Sequence, residues 1–175
     1  VFDYDYTSPL YPIREAAQAA GFELNTLRSL YQRGHFRIIG GEEAKARGLG
    51  AMLNLRDIMH VAAAKRLMDA GVHPRDAFEG TIKFAHTGDG GSGWVGEPMT
   101  GPTREPAGCY SDGFTAMIYY PSDGYTKIVP MDKNALGFSE LFFNPRTGGE
   151  EVAVVVFLNT VEHSVFSALG VTARA

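Results

Sequence analysis

A chain of 175 residues, 45% hydrophobic and 21% charged, holds one ordinary domain or two small ones, with the balance of a folded globular protein rather than a disordered tail. No apolar run approaches the roughly 20 residues that cross a bilayer, so no membrane partner is expected. The single cysteine, Cys109, excludes an internal disulfide and a thiolate-rich zinc site.

The formal charge of −4 is unevenly spread. Residues 11–86 carry 11 Lys and Arg against 8 Asp and Glu, while residues 87–175 carry 5 against 10. Such a split suits a polyanion-binding half joined to an acidic half with another task. The opening VFDYDYTSPL, residues 1–10, is an acidic and aromatic extension with neither the basic region nor the apolar core of a secretory leader, so a cytoplasmic location is expected.

Tyr11-Pro12 sets a proline near the first turn of a helix, where its missing N–H costs nothing. Ile13, Ala16, Ala17 and Ala20 recur at helical spacing until Gly21. A second helix begins at Asn25 or Thr26, both able to cap an N-terminus, and runs to about Arg33 with Leu27, Leu30 and Tyr31 as its apolar stripe. Gly34 stops it. Residues 35–53, HFRIIGGEEAKARGLGAML, place apolar pairs on either side of a polar tip, which reads as a β-hairpin wing. A third helix spans about Asn54 to Ala70, with Leu55, Met59, Ala63 and Leu67 inward and Gly71 as its stop. His73-Pro74 starts a fourth, to about Ala85, with Ala77, Phe78 and Ile82 facing inward.

Two helices joined by a glycine turn and followed by a wing form a winged helix-turn-helix, whose second helix enters the major groove of DNA. The first helix buries its alanine face on the second and leaves Asn25, Ser29, Gln32 and Arg33 outward, able to bond base edges and phosphates. Arg28 and Arg37 add charge that neutralises phosphates. Arg14 on the first helix, Thr26, His35 at the base of the wing, and Lys45 and Arg47 near its tip complete the candidate DNA-binding set. Thr26-Leu27-Arg28 also reads as an ordinary helix start in a protein-binding adaptor.

The run IREAAQAAGFELNTLRSLYQRGHF resembles the opening of the MerR family of winged-helix regulators. That family shows an Ala in the first helix, a Gly in the turn, Thr-Leu-Arg, and a Gly eight residues after the Thr; here Ala16 or Ala17, Gly21, Thr26-Leu27-Arg28 and Gly34 meet the pattern. LNLRDIMHVAAAKRLMDAGVHPRDAFE is similar to the family's third and fourth helices joined by a glycine. The resemblance covers residues 11–86, under half of the chain, and implies a module that docks on duplex DNA. Where the family carries Gly-Tyr-Arg in its wing, this chain has Gly50-Ala51-Met52, so that phosphate contact is absent or passes to Lys45 or Arg47. Ser29 and Leu30 stand where the family has two aromatics, and Gly88-Asp89-Gly90-Gly91 comes too soon after the fourth helix to leave room for the long helix that pairs MerR dimers. The resemblance therefore bears on the DNA-binding module and not on promoter distortion or on metal and drug sensing. Excisionases and some phage packaging proteins use a similar small winged helix.

Residues 87–108, TGDGGSGWVGEPMTGPTREPAG, read as a Gly/Pro-rich linker. Phe114–Tyr120 and Tyr125–Val129 flank Pro121-Ser122-Asp123-Gly124 in a hairpin. Phe138–Phe143 and Glu151–Leu158, around residues 144–149, suggest a second hairpin, and Val161–Leu169 a closing helix. The expected fold is α+β: a mostly α winged helix-turn-helix over residues 11–86, then a small mostly-β domain over 109–175.

Phe114, Tyr119, Tyr120, Phe142 and Phe157 fit either a β core with a dimer interface or a pocket for a small-molecule effector. The five histidines lack the spacing of a metal site, Gly88–Gly93 lacks the Gly-Lys-Ser/Thr ending of a phosphate loop, and no carboxylates pair as acid and base. No metal, cofactor or catalytic residue is expected. The chain reads as a dimeric, sequence-specific regulator of transcription bound to double-stranded DNA; the alternative is an architectural DNA-binding protein of a phage or mobile element.

Overall fold

The computed structural model describes residues 4–8, 10–43, 50–88, 103–111, 113–131 and 141–172. The chain is α+β, with five helices and two small antiparallel sheets among these residues. In the first half, β1 (Tyr11–Pro12) leads into α1 (Ile13–Ala20) and α2 (Leu24–Gln32); β2 (Met52–Leu53) precedes α3 (Leu55–Asp69) and α4 (Pro74–His86). β1 and β2 pair antiparallel, and Glu42 bridges Met52 from the other side.

α1 and α2 end where glycine allows it. Gly21 has φ 80° and Gly34 φ 72°, left-handed values that a Cβ disfavours. In both, the next N–H reaches back five residues, Phe22 to Ala17 (2.8 Å) and His35 to Leu30 (3.0 Å), which satisfies carbonyls the helix leaves open. Ala16, Ala17 and Ala20 of α1 and Leu27 and Leu30 of α2 are buried, so the small face of α1 does lie inward. α4 differs from the periodicity reading in one respect. Its buried face runs through Ala77, Phe78, Thr81, Phe84 and Ala85, while Ile82 is 44% exposed, because it sits about one residue's rotation off that stripe.

In the second half, β3 (Phe114–Tyr120), β4 (Tyr125–Met131) and β5 (Val154–Phe157) form one sheet in the order β4-β3-β5. The first hairpin is as the turn residues indicate, with Tyr120 opposite Tyr125. The second expected hairpin is corrected. β5 pairs with β3, Ala116 opposite Phe157, and Leu141 is helical and Phe142 a turn residue, neither of them in a strand; residues 138–140 lie outside the described residues. β3 is apolar along almost its whole length and buried on both faces, which makes it the central strand able to take a partner on either edge. Helix α5 (Leu158–Leu169) starts three residues earlier than its apolar spacing suggested, directly from β5.

The buried side chains of the two halves form one contiguous cluster, from Ile13 to Phe166. α5 packs on α1 and α3, and Tyr4 and Tyr6 set their rings 4.5 and 5.9 Å from that of Phe166. Gly80 lets α4 approach the sheet, since a Cβ there would meet the Tyr119 ring at 3.0 Å. The expected linker is corrected at its end. Residues 103–108 are packed: Arg104, 5% exposed, donates to the carbonyls of Phe84 (2.9 Å), Thr87 (2.7 Å) and Lys83 (3.3 Å) at the C-terminus of α4. Residues 89–102 of that stretch lie outside the described residues.

His60 of α3 and His86 of α4 meet between these helices. His60 Nε2–H donates to the Phe78 carbonyl (2.8 Å), which leaves Nδ1 to accept from His86 Nε2–H over a long 3.4 Å. Burial, and secondarily the neighbouring His86, push the imidazole of His60 down to about 4, against the opposing effect of the Phe78 carbonyl; burial also lowers His86. Because these folded-state values lie below the unfolded ones, the unfolded chain takes up protons first as pH falls. Stability is full above about pH 6.5 and is lost on the way to pH 4, by roughly 3 kcal/mol for His60. Thermal unfolding followed by circular dichroism is expected to show the melting temperature dropping across that window, and His60→Gln to flatten the drop.

Candidate nucleic-acid interface

α2 buries Leu27 and Leu30 and turns its other side to solvent. Asn25, Thr26, Arg28 and Gln32 are exposed, Arg33 is exposed at its C-cap, and Ser29 is half-buried. Asn25, Arg28, Ser29 and Gln32 follow the i, i+3, i+4, i+7 rule and therefore share one stripe, with Thr26 and Arg33 flanking it. Arg14 is exposed on α1, beside an open groove of about 490 Å³ that Gln18, Gly21, Phe22, Glu23 and Leu24 also line. Arg37 is exposed on the segment after α2. Among the described residues, none of Arg14, Arg28, Arg33 and Arg37 enters an ion pair or hydrogen bond through its guanidinium. The acidic residues nearest in sequence are Glu15, Glu23, Glu42 and Glu43, of which Glu23 occupies the N-cap position of α2 without a capping bond from its side chain.

His35 is half-buried, with its ring 6.2 Å from and edge-on to that of His73, the residue before α4. The end of α2 and the start of α4 thus meet at this pair. Lys45 and Arg47 lie outside the described residues. At the place where a wing arginine was sought, Ala51 is buried with its carbonyl accepting from Ile13 N–H (3.0 Å), and Met52 exchanges both backbone bonds with Glu42 (2.8 and 2.9 Å). That short ladder is backbone structure and offers no side chain to a phosphate.

The loop after α2 is fastened from below. Asp57, 1% exposed in the first turn of α3, accepts from the backbone N–H of Ile39 (2.9 Å) and of Gly40 (3.2 Å). Asn54 caps the same helix, its side chain accepting from Asp57 N–H (3.0 Å). The fit leaves no slack: a Cβ on Gly40 would lie 2.1 Å from Asn54 Nδ2, and one on Gly41 2.1 Å from the Met52 carbonyl. From this anchored backbone Phe36 and Ile38 point inward and Arg37 and Ile39 outward, Ile39 with 58% exposure.

Reading the residues alone missed Asn54, Asp57 and Ile39. An Asn three residues before an Asp marks a helix start and residues 36–39 alternate with a period of two, but neither cue says that Asp57 is buried under the loop.

The candidate effector rings do not converge. Alternation along β3 sends Tyr119 and Tyr120 to opposite faces, both buried. Tyr119 lies against Gly80, whereas the Tyr120 hydroxyl donates to the carbonyls of Leu141 (3.0 Å) and Phe143 (2.8 Å). Phe114 and Phe157 pair edge-on at 6.1 Å and are 48% and 42% exposed, and Phe142 is half-buried. Cys109 has its thiol pushed up by burial, with the Glu162 carboxylate acting in the same direction, which leaves it a weak nucleophile. No family model and no curated protein matches this chain.

The clamp makes a measurable claim. Asp57→Ala is expected to cost about 3 kcal/mol in urea unfolding, since it removes charge-assisted bonds from a buried carboxylate to two part-buried backbone amides. Hydrogen exchange at the Ile39 and Gly40 amides should quicken more than exchange in α5.

Proposed function

We propose that this chain is a sequence-specific DNA-binding regulator of transcription, working as a homodimer in the cytoplasm and acting by binding rather than catalysis. In this reading residues 11–86 are a MerR-like winged helix-turn-helix. α2 lies in the major groove, Asn25, Ser29 and Gln32 face base edges, and Arg28, Arg33 and Arg37 neutralise phosphates. Arg14, Thr26, His35, Lys45 and Arg47 belong to the same proposed contact set. One observation carries the reading: α2 presents a polar stripe with Arg28 and Arg33 exposed and unpaired among the described residues. An arginine without a carboxylate partner on a helix so exposed is available to an external anion.

Fluorescence anisotropy with duplexes selected from random sequence tests it. Arg28→Ala and Arg33→Ala should each weaken binding by about tenfold and together lower the salt slope by about 2. An unchanged affinity in the double variant would sink the proposal.

A second reading is favoured by Ile39. An apolar side chain held outward beside Arg37 on an anchored loop has the form of the wedges with which architectural proteins kink DNA. On this reading the chain is an excisionase-like or packaging-type protein that bends its site. Circular-permutation gel shifts should then show a large bend that Ile39→Ala reduces; a straight complex rejects it.

A further inference from the structure

The two edges of the sheet β4-β3-β5 are built differently. β4 carries Lys127 and Pro130, the residue types that keep foreign strands from adding to an edge. β5 is Val154-Val155-Val156-Phe157, with no charge, glycine or proline. Its backbone pairs with β3 on one side; on the other, the Phe157 carbonyl is taken by the first turn of α5, of which it is the N-cap, and by the Thr160 hydroxyl (2.8 Å), and among the described residues no further strand lies along that edge. The exposed apolar groups gather here as well. Of the eight large hydrophobic residues exposed among those described, Val155 and Phe157 are on β5, Val152 lies just before it and Phe114 sets its ring 6.1 Å from that of Phe157, whereas Phe143 lies against Lys127 of β4.

From this asymmetry we infer that β5 is the dimer strand, pairing antiparallel with β5 of a second copy about a two-fold axis through Val156. A second copy fits because a strand run antiparallel to itself is its own complement, and one patch then serves both sides. Residues paired across an antiparallel ladder share a face, so this axis sets Val155 of each copy opposite the partner's Phe157 on the outer face. Both exposed side chains are covered by the one operation. Since the strand has no charge, no ion pair is needed to set the partner, and none is broken when the strand is buried. The result is a continuous six-stranded sheet whose outer edges are the two guarded β4 strands. This locates the dimer that the proposed function calls for, yet it rests only on the chain's being a dimer and not on what the dimer binds.

Analytical ultracentrifugation of the full chain without DNA, over a range of concentrations, reads it directly. The wild-type chain should sediment as a dimer. Val155→Lys should raise the dissociation constant by about tenfold or more, as a charge is placed against the partner's Phe157. Ile82→Lys, a charge added at an exposed apolar site on α4, should leave it unchanged. In a Cys109→Ser background, Val156→Cys lies on the axis, where paired Cα atoms stand about 4.5–5.5 Å apart, and oxidation should yield a cross-linked dimer. A monomeric wild-type chain, a Val155→Lys variant that folds and dimerises as wild type does, or a Val156→Cys variant that folds but does not cross-link overturns the inference. The same samples titrated with duplex DNA keep the two ideas apart, since a stable dimer that ignores DNA rejects the proposed function alone.

Discussion

Asp57 is a carboxylate taken almost wholly out of water with no cation to meet it among the described residues. What holds it is backbone: the amides of Ile39 and Gly40, and the positive end of the α3 macrodipole in whose first turn it sits. A charge in that position cannot give up its donors cheaply, so the loop after α2 cannot lift off α3 without stranding it. Phe36, stacked on Phe78 at 4.9 Å, and the Gly40-Gly41 pair, with no room for a side chain, close the same joint. The orientation of the loop relative to α3 and α4 follows from these contacts, and with it the outward aim of Arg37 and Ile39.

The acidic second half is not a separate body hung on a tether; its sheet and last helix share the apolar cluster of the first. Two polar devices make that possible. Arg104 collects carbonyls that α4 leaves open at its end and lays its guanidinium over the Phe84 ring at 5.5 Å, so a charged side chain is buried with partners on several sides. The second is the Tyr6 hydroxyl, which donates to the Glu162 carboxylate at 2.7 Å and binds the N-terminal extension to α5. Burial raises Glu162 and, more strongly, Tyr6, in keeping with a bond formed away from solvent.

How much of this was readable from residue order depends on the range of the signal. α1 to α3 came from helical spacing with glycine stops, α4 from its His73-Pro74 start and its spacing, and the first hairpin from Pro121-Ser122-Asp123-Gly124, all cues confined to a few neighbours. The partner of β5 was not readable, because Val154–Phe157 would suit any apolar strand and only the burial of β3 on both faces selects the pairing. Arg104 looked like one more residue of a Gly/Pro-rich connector; its role depends on where α4 ends in space, 17 residues earlier for Thr87. For the candidate interface, the exposed stripe of α2 was legible since amphipathicity is local. Asp57 was not singled out, for a carboxylate in a first helical turn is ordinary, and its burial is decided by a loop 17 and 18 residues away. The aromatic rings of the sheet left two readings open in the sequence, a β core or a pocket, and alternation along β3 sends Tyr119 and Tyr120 to opposite faces, both buried.

Arg104 has one further consequence. Its guanidinium and the carbonyl of Thr87 lie 2.7 Å apart, so whatever chain joins these residues begins and ends at one fixed point on the surface of the core. The end of α4 and the return of the chain to the core are therefore a single joint: a side chain at position 104 too short to reach the Thr87 carbonyl would release both at once.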